Sequence, residues 1–285
     1  MTLQQIVGTF FLICAVLYAI YIIKDVVTNK EGFLAQPGNL RTVMICEAVV
    51  YFLTTIGISD FVMNTIVIKR LKLADTENLP DCLVTAGVVP GGFIAFLYLR
   101  TAGAVEAMTF LVFFIALAIG SFIGSRVVGS LKGDTIRKAL VALLSVCAII
   151  LLVRTVMNSG EAGTLTELRG PRLIIMGICA LVCGFTNMLG IPAKPFLTTA
   201  MLLLGLSPIT TLTMILGAIP ISVTTGGINV VRRRRYNKKH ALSAATIGCV
   251  TAFIGCMLAI SLNAVTLNVI LIAVIIVAII SLIKK

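Results

Sequence analysis

Histidine is nearly missing from this sequence, acidic side chains are scarce, and no long polar segment occurs. One histidine, His240, stands among 285 residues, with 11 aspartates and glutamates. No HExxH, GxSxG or paired-carboxylate motif appears, so the usual metal-dependent and acyl-transfer hydrolases lack their residues here. No Walker A loop appears either, so ATP-driven pumping by this chain alone is not expected. The eight cysteines form no CxxC pair and lie mostly within apolar runs, where they read as small packing residues. Neither metal nor cofactor is called for.

Charged residues make up only 12% of the chain, against about 25% in soluble domains. What is there is apolar: 59% hydrophobic residues and a mean hydropathy of +1.11. That composition belongs to an all-α polytopic membrane protein, read as one membrane domain over 1–285. The net charge of +12 does not point to nucleic acid, because the basic residues fall between apolar runs, where they serve as topology signals. The N-terminal run has no basic residue before it and no clear cleavage site, so it reads as a retained helix.

A spanning helix needs about 20 apolar residues. Candidate spans are 3–23, 43–68, 83–99, 107–131, 136–153, 172–206 (interrupted), 208–231, 241–262 and 266–283, about nine segments. The basic run "RRRRYNKK" at 232–239 is placed in the cytoplasm, as a topology anchor in contact with anionic lipid. Alternation then puts the N-terminus outside and Lys24, Lys30, Arg41, Arg100, Arg154, Arg169, Arg172, Lys284 and Lys285 inside. It puts Lys69, Arg70, Lys72, Lys132, Arg137 and Lys138 outside, and the 69–72 cluster sits badly there. His240, beside the basic run, reads as a solvated helix end.

The chain repeats itself. "AFIGCMLAISLNAVT" (252–266) aligns with "SFIGSRVVGSLKGDT" (121–135), and "IGI" at 56–58 parallels "LGI" at 189–191. The reading is an extra N-terminal helix and loop (1–42) followed by two homologous repeats, 43–154 and 172–285, with a broken helix or re-entrant element in each. Four crossings per copy would make the copies parallel, and re-entrant hairpins would make them inverted; both remain open. Gly120, Gly124, Gly248 and Gly255 read as helix-packing positions.

Charge inside a membrane is costly and usually functional. Asp60 lies deep in the first broken element and Lys194 in the second, each just past a glycine, Gly57 and Gly190. Pro192 and Pro195 obstruct helix continuation, so a helix restarting near Pro195 offers its N–H groups to an anion beside Lys194. Asn64, Asn187, Thr198 and Thr199 add hydrogen-bonding groups. The expected substrate site is Lys194, Asn187, Thr198, Thr199, Asn64, Gly57 and Gly190. Asp60 and Glu47 are the ion-pair or proton-coupling candidates, with a snorkelling surface role also open for Glu47 and a purely structural lock open for Lys194–Asp60.

Two blocks in each copy resemble the TauE/SafE (TSUP) family of sulfite exporters and related anion permeases. They are "TIGISDFVMNTIVIKRLKLAD" with "GFTNMLGIPAKPFLTTAMLLLGLSP", and "GSFIGSRVVGSLKGDTIRKALVALL" with "FIGCMLAISLNAVTLNVIL". The resemblance covers about 43–285. It implies a secondary carrier of a small anion, such as sulfite, thiosulfate or sulfoacetate, in a prokaryotic inner membrane. Pro192, Ala193 and Lys194 stand where many members carry glycine, and Ser59 and Asp60 replace glycines in the first copy. A passive anion channel and an intramembrane enzyme are the competing classes. The expected partners are the anion and membrane lipids, with association of copies left open.

Overall fold

The computed structural model describes residues 2–75, 78–102, 105–127, 163–188, 194–218, 220–221, 235–267 and 269–273. The described residues are helical, with one isolated bridge between Leu165 and Leu206. In chain order the helices are α1 (Leu3–Thr28), α2 (Lys30–Ala35), α3 (Leu40–Thr55), α4 (Asp60–Leu71), α5 (Leu79–Thr101), α6 (Ala107–Val127), α7 (Pro171–Met188), α8 (Lys194–Leu203) and α9 (Pro208–Gly217). Next comes α10 (Lys238–Ser261), which contains a π-turn at Ala244–Gly248, followed by a shorter apolar helix over Ala264–Ala273. Helices over Leu3–Thr28, Asp81–Thr101, Ala107–Gly124 and Lys238–Ser261 are long and apolar enough to cross a membrane. The expected span 136–153 and most of 266–283 lie outside the described residues.

α1 starts at a capping box in which Thr2 and Gln5 satisfy each other's backbone N–H groups. Its 26 residues span about 39 Å, enough to cross a bilayer's hydrocarbon core. Phe11, Ala15 and Ile22 are buried while Ile6, Phe10, Ile13, Leu17 and Ile20 are exposed, an apolar outer surface suited to lipid and not to water. α1 packs on α5, where glycines set the approach: a Cβ on Gly92 would sit 2.8 Å from the Ala15 Cβ. α6 and α7 meet more closely still, because a Cβ on Gly120 or Gly184 would strike the backbone carbonyl of Leu181 or Leu117. On α10, Gly248 and Gly255 lie against Tyr51 and Thr55 of α3. Cys14, Cys46, Cys82, Cys249 and Cys256 are free thiols.

α1 gives the molecule two ends. At one, Gln4 Oε1 accepts from Val105 N at 3.0 Å. At the other, buried Asp25 accepts from Tyr236 Oη at 2.7 Å and pairs with Lys238 Nζ at 3.3 Å. The broken elements are hairpins anchored at these opposite ends. α3 and α4 reverse at Gly57, whose φ of +98° is a left-handed geometry that glycine adopts freely. Both legs return to the Asp25 end, because the Asn237 side-chain amide donates to Pro37 O at 3.1 Å and Leu73 O at 3.0 Å. The other hairpin, α7 and α8, has both legs at the Gln4 end: Leu165 N donates to Gly205 O at 3.2 Å and Ser207 N to Leu165 O at 2.9 Å. Thr109 Oγ1 accepts from Leu168 N there, and the Glu106 carboxylate caps α6. The N–H groups of Met108 and Thr109 hold the Glu106 carboxyl below the usual carboxylate range.

Span 43–68 is therefore not one crossing, and the sidedness expected from simple alternation changes. Lys69, Arg70 and Lys72 return to the Asp25 end, beside Lys24, Lys30, Arg41 and Arg235, which removes the anomaly of the 69–72 cluster. Arg100, Arg169 and Arg172 go to the opposite end, not with Lys24. Nor is the basic run wholly a solvated or lipid-facing loop: Tyr236, Asn237 and Lys238 are buried, and Lys239 Nζ donates to the carbonyls of Leu34, Gln36 and Gly38.

This sidedness is checked with single cysteines at Lys30, Arg70 and Arg169, labelled by a membrane-impermeant maleimide in right-side-out and inverted vesicles. Positions 30 and 70 are expected to label from one side and 169 from the other. Labelling of 30 and 70 from opposite sides would mean that α3–α4 crosses.

Candidate functional site

Both hairpins carry a charge where their second helix begins. Asp60 opens α4 after Ser59, and its carboxylate is stabilised by the positive end of that helix. Lys194 opens α8, where the same end of a helix opposes a cation and favours an anion close by. The two meet: Lys194 Nζ donates to Asp60 Oδ1, with the Asp60 side chain 3% and the Lys194 side chain 14% exposed. The pair joins hairpins that enter from opposite ends. Asp60 Oδ2 also approaches Gly87 of α5, where an added Cβ would lie 3.6 Å away.

Beside the pair lies a small cavity of about 30 Å³, lined by Phe113, Leu117, Cys183, Asn187, Lys194, Leu197, Ile215 and Ala218. Its walls are apolar except for the lysine and the asparagine. That volume holds roughly one or two water-sized bodies. Among the expected site residues, Lys194 and Asn187 thus come together and Gly57 makes the turn. Thr198 and Thr199 are buried but donate to Lys194 O and Pro195 O of their own helix and do not line the cavity. Gly190 lies outside the described residues.

A second polar cluster lies one helical turn along α4. Glu47 and His240 are both fully buried, with Glu47 Oε1 3.0 Å from His240 Nε2. Glu47 is therefore not a snorkelling surface carboxylate, and His240 is not a solvated helix end. Asn64 leaves the lysine cavity to join them: oriented to satisfy its neighbours, its amide nitrogen donates to Glu47 Oε1 at 2.9 Å. Tyr51 completes the group, 3.4 Å from the Asn64 amide. Its hydroxyl donates to Ala86 O at 2.8 Å. Pro90 explains why that carbonyl is available, since proline lacks the N–H that would bond four residues back in α5. Sequence reasoning missed the Glu47–His240 contact because the residues flanking His240 are basic; the usable signal was Asn64, four residues after Asp60 and so on the same face of α4.

The apolar outer surface and the spanning helices define a multi-pass helical membrane protein. The chain belongs to the sulfite exporter TauE/SafE family, whose model matches residues 82–284. That match takes in Lys194, Asn187 and His240 and leaves the α3–α4 hairpin, with Asp60 and Glu47, ahead of it. No curated protein and no solved structure matches the chain.

Breaking a buried pair by removing one partner costs about 3–5 kcal/mol, whereas replacing both with apolar groups can be neutral. Asp60→Asn and Lys194→Met are each expected to lower the thermal unfolding midpoint in detergent. Asp60→Leu with Lys194→Met together should recover most of the loss. A double variant as unstable as the sum of the single ones would mean that the two charges do not act as a pair.

Proposed function

We propose that this protein is a secondary carrier of a small anion, a sulfur oxyanion or organosulfonate, bound by Lys194 between the two hairpin tips. The observation that carries the reading is a partly buried lysine at a helix N-terminus, lining a cavity and held by one carboxylate. The family supplies the sulfite class. An arriving anion competes with Asp60 for Lys194, and Asn187 offers a neutral donor. The cavity beside Lys194 is small, and with hairpins rooted at opposite ends, movement of either one opens the site toward one side only. That is the geometry alternating access needs.

The anchoring of the hairpins at opposite ends supports inverted over parallel repeats for 43–154 and 172–285. Basic residues concentrate at the Asp25 end, which is assigned to the cytoplasm of a prokaryotic inner membrane. Neutralising the arriving negative charge calls for a co-transported cation, and a proton is the simplest.

The test is flux in proteoliposomes, screening sulfite, thiosulfate, sulfate, sulfoacetate and simple carboxylates. At least one sulfur anion should move, and the same anion on the far side should accelerate exchange, as a carrier requires. Lys194→Ala should remove saturable uptake while the protein remains folded. Flux without acceleration would indicate a channel. Movement of a cation or neutral solute with no anion flux would overturn the reading.

A further inference from the structure

We infer that the Glu47–His240 pair is the proton-binding site of this carrier, holding the proton that offsets the charge of the bound anion; this rests on the anion-carrier reading above. The pair is fully enclosed, and His240 Nδ1 has no hydrogen-bond partner among the described residues. Three arrangements of hydrogen on the pair can be compared. With Nε2–H donating to an ionised Glu47, the pair carries −1. With one more proton it is neutral, as a neutral acid and neutral ring or as an ion pair. With a second it carries +1. In each arrangement Nδ1 is a buried donor or acceptor without a partner, which costs about 1–3 kcal/mol. A pair built only to lock helices would satisfy that atom.

Asp60 already has a partner: it opens α4 and its carboxylate accepts from Lys194 Nζ. The charge accounting then closes. With Lys194⁺, Asp60⁻ and a neutral Glu47–His240 pair, the interior is neutral. A monovalent anion on Lys194 makes it −1. A proton taken from water on the same side brings Glu47–His240 to +1 and the interior back to zero, and both leave together on the other side. The two sites are close enough to sense each other: Asp60 and Asn64 are four apart on α4, roughly 5–6 Å between Cβ atoms. Asn64 contacts both Glu47 and His240, and Tyr51 and Asp60 reach adjacent residues of α5, Ala86 and Gly87.

The other ionisable groups on the surrounding helices have their own settings. On α1, Asp25 is held by Lys238 and Tyr236. On α10, Lys239 is spread over three carbonyls, and Cys249 lies further along. On α5, Cys82 accepts from Asn237 N, and Asp81 lies in the first helical turn. On α3, Cys46 precedes Glu47 and Tyr51 bonds Ala86 O. Of these, Tyr51 and Cys46 lie within electrostatic reach of Glu47.

Because the chain has one histidine, a histidine-selective isotope label gives a single imidazole signal in the whole protein. Its titration is followed by NMR in nanodiscs with and without sulfite, and sulfite binding is measured separately by calorimetry. The His240 signal is expected to titrate, and sulfite to move its midpoint upward by about one pH unit. By reciprocity, sulfite then binds the protonated protein about tenfold more tightly. Lys194→Ala should keep the titration and lose the sulfite shift. Glu47→Gln should flatten the pH dependence of sulfite affinity that remains once sulfite's own ionisation is accounted for. A His240 signal unchanged from pH 4 to 9 overturns the inference whatever sulfite does. Sulfite heat with an unmoved midpoint overturns it while leaving the anion reading intact. Absence of sulfite heat removes the anion reading for sulfite, and the inference falls with it.

Discussion

A lysine ammonium drawn largely out of water into an apolar bundle needs an opposite charge within reach, and much of this structure follows from where that charge comes from. Removing an ammonium from water costs several kcal/mol even after relaxation. Asp60 offsets that cost for Lys194, but only if two helix starts far apart in sequence are brought tip to tip. Each start needs a break in an apolar segment. Each break leaves backbone groups that must be satisfied inside protein. The hairpins answer both demands, and the surrounding helices cover them.

The coverage is specific. At the first tip, Thr55 O would be an orphan carbonyl at the end of α3, and Tyr98 Oη donates to it. Gly57 is met by Leu212 and Leu271, so the turn is sealed by apolar side chains. Pro90 frees Ala86 O and Tyr51 takes it, which links the hairpin to α5 one turn from Asp60. These bonds brace the tip that carries Asp60 against Lys194 and the small cavity beside it. Rigid support around a single exchangeable charge pair at the centre is what the proposed anion site requires.

The sequence revealed the charges more readily than their setting. Asp60 and Lys194 stand out because each interrupts an apolar run, and the proline and glycine beside them announce a break. Whether a broken segment crosses or turns back is not written in hydropathy, which has no direction. The cue lay in Lys69, Arg70 and Lys72, whose awkward side assignment disappears once α4 returns to its origin. Thr198 and Thr199 stood out by type, and in the fold their hydroxyls donate to the carbonyls of Lys194 and Pro195 in their own helix, the default for a hydroxyl in an apolar setting. His240 shows the opposite error. Its basic neighbours suggested solvent, yet the helix that begins at Lys238 turns the ring inward onto Glu47, a contact only the tertiary fold could disclose. The family match, beginning at residue 82, could not have supplied it either.

The central claim is that Asp60 is a stand-in for the substrate, competing with it for Lys194. Calorimetric titration of sulfite into the Asp60→Asn protein tests this most directly. With the competing carboxylate neutralised, sulfite should bind more tightly than to the unmodified protein and should restore the thermal stability lost through the substitution. Weaker binding, or binding that leaves stability unrepaired, would contradict the account and leave Lys194–Asp60 as a structural tie between two hairpins.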